Sequence, residues 1–408
     1  MKNINKSHII LGSFVFVSFL IKLILIFKYQ NNLTLSSDDL NYIKSAVVLI
    51  KRGIYIFHNL NEPTVFVTPL YPFFLAAIFK VFGFGLFGLQ MVRIIQAVIS
   101  SITIIIIFLL AREFFNTKIA LISSFLASFY IPNIVTVGYM LTETIFTMLL
   151  CLLIYLSIIF GKKPGVVRLL ILALVWTAAT LCRPTIALYP VMLFIYLFFY
   201  RKMKLLDMVK YGTVMFIVFM IIMSPWWIRN YLEYGEFIPL AASSGNPMLQ
   251  GTYIDYKQTP ENIVYYSLGK NAFETNKTEV AVSKMRIKQG FIEDFWGYLK
   301  WYTLGKTYLF WFTAFYWKQF FNISSVYVIW FHYVIIISAF LGITVLLFKK
   351  ISKYILLISV ILYFNVVHCV YMAFDRYAFP LISLLSVFSA YFIYLIYNFV
   401  REIKFKVN

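Results

Sequence analysis

Long apolar runs follow one another along this chain, and mostly short polar segments separate them. A helix needs about 20 mostly apolar residues to cross the hydrocarbon core of a bilayer. Helices satisfy their backbone polar groups internally, whereas strands of a membrane β-barrel would alternate in polarity, and these runs are continuous. We therefore expect an all-α polytopic membrane protein with about 11 transmembrane helices. The candidate segments are 8–27, 68–83, 89–110, 118–133, 137–160, 166–181, 185–200, 207–224, 324–348, 354–373 and 378–399.

The composition favours the same class. Hydrophobic residues make up 62% of the 408 residues and charged residues only 13%, whereas a soluble domain is about 45–50% apolar and about 25% charged. This excludes an ordinary soluble protein, a disordered chain and, despite the formal charge of +20, a nucleic-acid binder. Cys151, Cys182 and Cys369 lie in or beside apolar runs without paired spacing, which predicts neither a disulfide framework nor a zinc site.

Basic residues cluster in three short loops, around Lys162, Lys163 and Arg168, within 201–210 and within 349–353, and both chain ends are basic as well. Because cytoplasmic loops of membrane proteins carry an excess of lysine and arginine, we expect these loops and both chain ends to face the cytoplasm. Much of the positive charge is then an orientation signal. A single integral membrane domain, 1–408, accounts for the whole pattern.

Two longer polar segments then fall outside the cell. The first polar segment is 28–67, and the second polar segment, about 225–320, is expected to bind substrate. Eleven full crossings would not leave both chain ends in the cytoplasm. We therefore expect one early segment, 68–83 or 118–133, to be re-entrant, or one crossing to be missing from the count.

Both polar segments contain an amphipathic pattern that predicts a helix on the membrane surface. In 38–52, apolar residues recur at helical spacing, Ser36 or Ser37 could cap the start, and Gly53 would end the helix. The acidic residues Asp38 and Asp39 suit the positive N-terminal end of this helix, so capping is one interpretation of them and chemistry is the other. The second juxtamembrane helix is expected over about 275–300.

Ionisable residues of three further loops are expected at the same membrane face: Glu143, Arg183 and the pair Asp375–Arg376. A charge at the membrane boundary is costly, so it marks either a functional site or an internal salt bridge such as Glu143 with Arg183. Arg229 follows two tryptophans; it could bind a phosphate or extend to lipid headgroups. Together these residues describe an outward-facing pocket with acids for chemistry and arginines for an anionic ligand.

An ordered series of short motifs covers most of the chain. These motifs are Asp38-Asp39-Leu40-Asn41-Tyr42 with Ala46 and Gly53, Pro69-Leu70-Tyr71-Pro72, Thr142-Glu143-Thr144, Arg183-Pro184, Pro225-Trp226-Trp227-Ile228-Arg229-Asn230-Tyr231 with Gly235 and Gly245, and Arg376-Tyr377 with Pro380. The series resembles the C-type superfamily of membrane glycosyltransferases. Within it, the chain is similar to bacterial relatives of the dolichyl-phosphate-mannose–protein mannosyltransferases and of the aminoarabinose transferase.

The resemblance implies an inverting hexosyl or pentosyl transferase in the cell membrane, with its active site on the outer or periplasmic face. The donor would be a sugar on a polyprenyl phosphate, undecaprenyl phosphate in bacteria, and the acceptor an envelope lipid, glycan or protein. Asp38 matches the position of the family's catalytic base, four residues before a tyrosine, and Asp39 is a second candidate. Neither the sugar nor the acceptor is specified by these motifs.

The same resemblance implies a set of groups that bind substrate and its phosphate. These are Arg183, Arg229, Arg376, Glu143, Tyr42 and Tyr71. Members of the superfamily differ in their use of a metal, and Asp38, Asp39 and Glu143 are candidate ligands for Mg²⁺ or Mn²⁺, which prefer oxygen donors.

Two other functions share these features. A transporter or flippase of lipid-linked sugars would also need a membrane domain and a charged outer pocket, although transporters often show internal repeats, and none is visible between the two halves. An O-antigen-type polymerase or ligase would use the same donors with a large outer loop, which the second polar segment could supply.

Overall fold

The computed structural model describes residues 2–349 and 351–407, and their side chains over 6–349 and 352–403. The predicted all-α fold is confirmed over these residues. The helices are α1 (Lys2–Tyr29), α2 (Asp38–Arg52), α3 (Leu70–Phe82), α4 (Leu86–Phe114), α5 (Thr117–Phe129), α6 (Ile131–Val135), α7 (Glu143–Lys162), α8 (Val166–Cys182), α9 (Tyr189–Phe199), α10 (Leu205–Tyr234), α11 (Gly245–Gln250), α12 (Ala272–Glu293), α13 (Phe295–Lys300), α14 (Lys306–Phe312), α15 (Ser325–Leu347), α16 (Ile355–Val370) and α17 (Asp375–Val407).

Within the described residues, seven helices are long and apolar enough to cross a membrane. An eighth crossing is possible if Thr117–Phe129 and Ile131–Gly138, which are bent by 59° relative to each other, form one span. The three shorter apolar helices, Leu70–Phe82, Val166–Cys182 and Pro184–Phe199, fall below the length of about 20 residues that a full crossing needs. The prediction of 11 full crossings is therefore not confirmed, and the bend lies in one of the two segments predicted to be re-entrant.

Helices α7 and α17 are the most buried of the long apolar helices, whereas α10 and α1 are the most exposed. Helix α4 packs on α5 and α7, and α17 packs on α5, α7 and α15. The first residues of α7 and α17 therefore belong to the two most buried long apolar helices. This matters because Glu143 and Arg376 lie in those first turns.

The structure is helical over both segments for which a surface helix was predicted. Helix α2 ends where expected, at Gly53, whose positive φ of 69° suits a residue without a side chain. At its start the hydroxyl of Ser37 makes no capping hydrogen bond. The second predicted helix is divided at Asp294, whose carboxylate accepts a hydrogen bond from the backbone N–H of Gly297 (2.9 Å) and so starts α13.

Three polar residues on α4, spaced three apart, connect this apolar helix to two turns. Arg93, which is buried, donates to the backbone carbonyl of Leu33 (3.1 Å), to one in the 137–139 turn (3.0 Å) and to the side chain of Gln90 (3.1 Å). Gln96 donates to two other carbonyls of that turn, both at 2.9 Å. The stripe fixes the turns that lead into α2 and α7.

We predict that Arg93→Met destabilises the protein. A buried carbonyl that loses its donor costs about 1–3 kcal/mol, and this substitution removes the donor of three acceptors. The thermal unfolding temperature of the detergent-solubilised variant should fall by several degrees. Arg112→Met, at an exposed position of the same helix, is the matched control. Equal unfolding temperatures for the two variants would contradict the structural role of Arg93.

Candidate active site

Charged side chains from four separate parts of the chain meet at one end of the helices. Arg376, at the start of α17, donates from Nη1 to Oδ2 of Asp38 at 2.7 Å and from Nε to Oε1 of Glu143. Arg183, which directly follows α8, donates from Nη2 to the same Oε1 of Glu143 at 2.5 Å. We refer to Asp38, Glu143, Arg183 and Arg376 as the charged cluster.

Local structure explains why these carboxylates are tolerated here. Asp38 and Glu143 are the first residues of α2 and α7, where unpaired N–H groups and the helix dipole favour a negative charge. The guanidinium of Arg183 is held further by Thr142, whose hydroxyl accepts a hydrogen bond from Nε at 2.8 Å. The cluster thus rests on helix ends rather than on mobile loop tips.

The two carboxylates of the charged cluster differ sharply in exposure. The side chain of Asp38 is 41% exposed, whereas that of Glu143 is completely buried. The arginines lie between these extremes, at 13% for Arg183 and 11% for Arg376. A reactant can therefore reach Asp38 directly, while Glu143 can act only through the two guanidinium groups that it holds.

Asp39 faces away from this exposed position and is buried. Its carboxylate accepts hydrogen bonds from the hydroxyl of Thr34 (2.5 Å) and from the backbone N–H groups of Leu35 and Ser37 (both 2.9 Å). These contacts close the turn that precedes α2. The neighbouring aspartates thus have different surroundings, and Asp39 has the contacts of a capping residue.

The structure does not place Arg229 in the charged cluster. Its guanidinium lies over the rings of Tyr55 and Trp226, at 5.6 and 5.4 Å, and donates to the backbone carbonyl of Thr64 at 2.7 Å. The hydroxyl of Tyr234 donates to the adjacent carbonyl of Pro63 at 2.5 Å. Arg229 therefore joins the end of α10 to the first polar segment, which places both polar segments at the same end of the molecule.

The two tyrosines of the predicted site are buried side by side, with ring centroids 5.0 Å apart. The hydroxyl of Tyr71 donates to Oε1 of Gln96 at 2.9 Å, so it is engaged by α4. Tyr42 lies closer to the charged cluster. Burial raises the pKa of Tyr42, an effect that nearby Arg376 partly offsets, so its hydroxyl stays protonated and able to donate at neutral pH.

The structure also adds His58, which sequence analysis did not select. It lies between the rings of Phe57 and Phe66, with centroids at 4.8 and 4.5 Å. Partial burial lowers the pKa of His58, and the nearby charge of Asp38 opposes that shift. The imidazole is therefore mainly neutral at pH 7. A lone histidine in a loop carries no spacing signal that could have identified it.

Asp375, which sequence analysis placed at this face together with Arg376, lies beside the charged cluster and does not contact Asp38 or Glu143 through any hydrogen bond among the described residues. Its carboxylate accepts hydrogen bonds from the indole N–H of Trp317 at 3.0 and 3.2 Å and from the backbone N–H of Arg376 at 2.7 Å. The segment before it is held by Lys306, a buried lysine that donates to the carbonyls of Cys369 (2.8 Å) and Tyr371 (2.9 Å). The entry to α17 is therefore fixed from two sides.

The candidate metal ligands do not fit a divalent ion in this arrangement. Asp39 is occupied by the 34–37 turn, and a guanidinium, that of Arg376, bridges Asp38 and Glu143. The guanidinium groups of Arg183 and Arg376 thus occupy carboxylate oxygens that Mg²⁺ or Mn²⁺ would need as ligands. Among the described residues, no group of three or more Asp, Glu, His or Cys side chains could hold a metal.

Comparison with known proteins gives a partial family match. Residues 63–228 match the dolichyl-phosphate-mannose-protein mannosyltransferase family. This range contains Glu143 and Arg183 but neither Asp38 nor Arg376. Comparison with curated proteins gave no match.

Solved membrane proteins share the fold. The oligosaccharyltransferase AglB from Archaeoglobus fulgidus, in complex with an inhibitory peptide and a dolichol-phosphate, aligns over 97% of this chain and 51% of its own, with a TM-score of 0.58 and 13% identity. The apo form of the A. fulgidus oligosaccharyltransferase gives a TM-score of 0.58 at 11% identity, over 98% of this chain and 52% of its own.

A bacterial protein gives a similar result. ArnT from Cupriavidus metallidurans, bound to undecaprenyl phosphate, aligns over 93% of this chain and 59% of its own, with a TM-score of 0.50 and 10% identity. The chain thus spans about half the length of the archaeal proteins and under two thirds of ArnT. At these identities the likeness establishes the fold. The fold is thus shared with the archaeal oligosaccharyltransferase and with ArnT, and residues 63–228 match the dolichyl-phosphate-mannose-protein mannosyltransferase family.

Proposed function

We propose that this protein transfers a sugar from a polyprenyl phosphate to an envelope acceptor, with inversion, at the outer face of the cell membrane. The observation that carries the proposal is the contact of Arg376 with both Asp38 and Glu143, in a cluster where Asp38 is exposed. Solved proteins of this fold were bound to dolichol-phosphate and to undecaprenyl phosphate, which supports a lipid-linked donor. Undecaprenyl phosphate is the corresponding carrier here.

In this proposal Asp38 is the general base. The acceptor hydroxyl gives its proton to the carboxylate of Asp38 while its oxygen forms a bond to the anomeric carbon of the donor sugar. The bond between that carbon and the phosphate oxygen breaks, and the polyprenyl phosphate leaves with the electron pair. Inversion requires one base on the face opposite the leaving group and no protein nucleophile, which one exposed carboxylate provides.

The arginines of the cluster stabilise the leaving phosphate. Arg183 and Arg376 converge on Oε1 of Glu143, so the buried carboxylate orients both guanidinium groups before substrate arrives. Among the described residues, Nη1 of Arg183 has no protein partner and can bind a phosphate oxygen. Prearranged donors stabilise developing charge without the reorganisation that solvent would need.

One experiment separates this function from its rivals. Purified protein in liposomes is incubated with radiolabelled undecaprenyl-phosphate sugars and a cell-envelope extract. Transfer of label to a lipid, glycan or protein supports the proposal and identifies the acceptor. Label that stays on the lipid but crosses the bilayer only when the protein is present would contradict it in favour of a flippase. Growth of a long polymer would favour a polymerase.

We predict that Asp38→Asn reduces the transfer rate by at least about 100-fold, because an amide cannot accept the proton that a general base removes. The unfolding temperature should stay close to that of the wild type, since Asp38 is 41% exposed and such ion pairs add little stability. Single-turnover transfer and thermal unfolding are the measurements.

Asp207→Asn is the matched control, because Asp207 is an exposed aspartate in the first turn of α10. It should leave transfer unchanged. Asp39→Asn should instead lower the unfolding temperature, because it disturbs the three hydrogen bonds of the turn before α2. Normal turnover by Asp38→Asn would contradict the assignment of the base.

Metal removal tests a second consequence of the geometry. Because Arg376 occupies the space between the two carboxylates, we predict that transfer needs no divalent ion. Activity after dialysis against EDTA should equal that of untreated protein. A loss that Mg²⁺ or Mn²⁺ restores would show that the arginine moves away and that the carboxylates bind a metal during turnover.

A further inference from the structure

An irregular segment, residues 313–323, runs between α14 and α15; we refer to it as the strap. Two consecutive residues of the strap contact segments that lead to the ion pair Asp38–Arg376: Trp317 contacts Asp375, which directly precedes Arg376, and Lys318 contacts Asn32 and Thr34 in the turn before α2. They reach different parts of the molecule, one the entry to α17 and the other the turn before α2.

The first contact is made by Trp317. Its indole N–H donates to both carboxylate oxygens of Asp375, at 3.0 and 3.2 Å. Asp375 in turn accepts a hydrogen bond from the backbone N–H of Arg376 at 2.7 Å. The indole therefore fixes the residue that directly precedes the arginine of the charged cluster.

The second contact is made by Lys318. Its ammonium donates to the backbone carbonyls of Asn32 (2.6 Å) and Thr34 (3.4 Å). The hydroxyl of Thr34 donates to Asp39 at 2.5 Å, and Asp39 also holds the N–H groups of that turn. The lysine therefore fixes the turn from which Asp38 projects.

The strap itself is firmly anchored. Phe315 and Phe320 are buried on either side of the Trp317–Lys318 pair. Phe321 and Asn322 both adopt the left-handed conformation, with φ of 55° and 56°, which residues with side chains disfavour. The N–H of Phe321 donates to the hydroxyl of Tyr29 at 2.6 Å and helps to hold this turn. A segment held in this way can keep two distant parts of the chain in register.

We propose that Trp317 and Lys318 are positioning residues that set the location of Asp38 relative to Arg376. The strap links the segment that carries Asp38 to the start of α17, which carries Arg376. Trp317 and Lys318 do not contact the reacting groups themselves. This inference rests on the proposed function, because the effect on turnover depends on Asp38 acting as the base. The inference predicts that substitutions of Trp317 or Lys318 lower kcat and leave donor binding largely unchanged.

The test uses full-length protein in liposomes with radiolabelled undecaprenyl-phosphate sugar and the acceptor extract. Trp317→Phe keeps an aromatic ring but removes the donor to Asp375; Lys318→Met keeps length but removes the charge. Each should lower kcat about tenfold with little change in the KM for the donor, because small misplacement of catalytic groups is costly. Lys318→Arg should restore most of the activity.

Two matched controls carry the same substitutions elsewhere. Trp330→Phe changes an exposed tryptophan of α15, and Lys210→Met changes an exposed lysine of α10. Both should behave as wild type. A double-mutant cycle combines Trp317→Phe with Asp375→Asn. If the two side chains act through their hydrogen bond, their losses in kcat are not additive. General destabilisation of the protein would not produce this coupling.

The outcomes are distinguishable. An active wild type with normal kcat in Trp317→Phe and Lys318→Met would overturn the strap inference alone. An inactive wild type would overturn the proposed function and the inference with it. Should Trp317→Phe unfold, the comparison of Lys318→Met with Lys318→Arg decides: equal losses in the two variants overturn the inference, and recovery in the arginine variant supports it.

Discussion

The buried carboxylate of Glu143 is the interaction on which the site depends. An ionised group without solvent exposure needs a partner of opposite charge, because its desolvation costs several kcal/mol, a large part of a typical protein's stability of about 5–15 kcal/mol. Two arginines from distant parts of the chain provide that pairing, and each approaches the same oxygen. Because the two guanidinium groups repel each other, their convergence is stable only around this carboxylate. The ends of α7, α8 and α17 are thereby held in one arrangement.

Arg376 connects this buried arrangement to the surface of the protein. It contacts the buried Glu143 on one side and the exposed Asp38 on the other, so the position of the acid is set from the interior of the helix bundle. Lys318 donates to backbone carbonyls before α2, and Trp317 donates to the carboxylate of Asp375, so the segments on both sides of the ion pair have further hydrogen bonds. Charges placed in this manner are oriented by the fold itself and need little rearrangement to act on a further charged group.

Much of the local structure around the site could be predicted from the sequence, because it depends on nearby residues. The limits of α2 follow from its apolar spacing and from Gly53, and the pairing of Glu143 with Arg183 follows from the cost of a charge in that place. The crossing count could not be predicted equally well. A short apolar helix such as α3 is as apolar as a spanning helix and differs from it in length.

The hydrogen-bond partners of Arg229 and Lys318 could not be predicted from the sequence, for a different reason. Both side chains donate to backbone carbonyls far away in the chain, and a carbonyl is present at every residue, so it leaves no mark in the sequence. The side-chain partners of Arg376 were at least recognisable as acids. Sequence analysis therefore placed Arg229 with the phosphate-binding groups, whereas its contacts make it a link between the two polar segments.

The divergence of Asp38 and Asp39 follows from helix geometry. Successive residues of an α-helix point about 100° apart, so two adjacent aspartates in a first turn cannot share one environment. One rotation directs Asp39 into the turn that it caps, and the same rotation leaves Asp38 exposed beside Arg376. Identical residue types at consecutive positions thus have different surroundings, one within a turn and the other exposed beside an arginine. The spacing to Tyr42 favours Asp38 over Asp39 in the sequence, and the direction of each side chain shows how their surroundings differ.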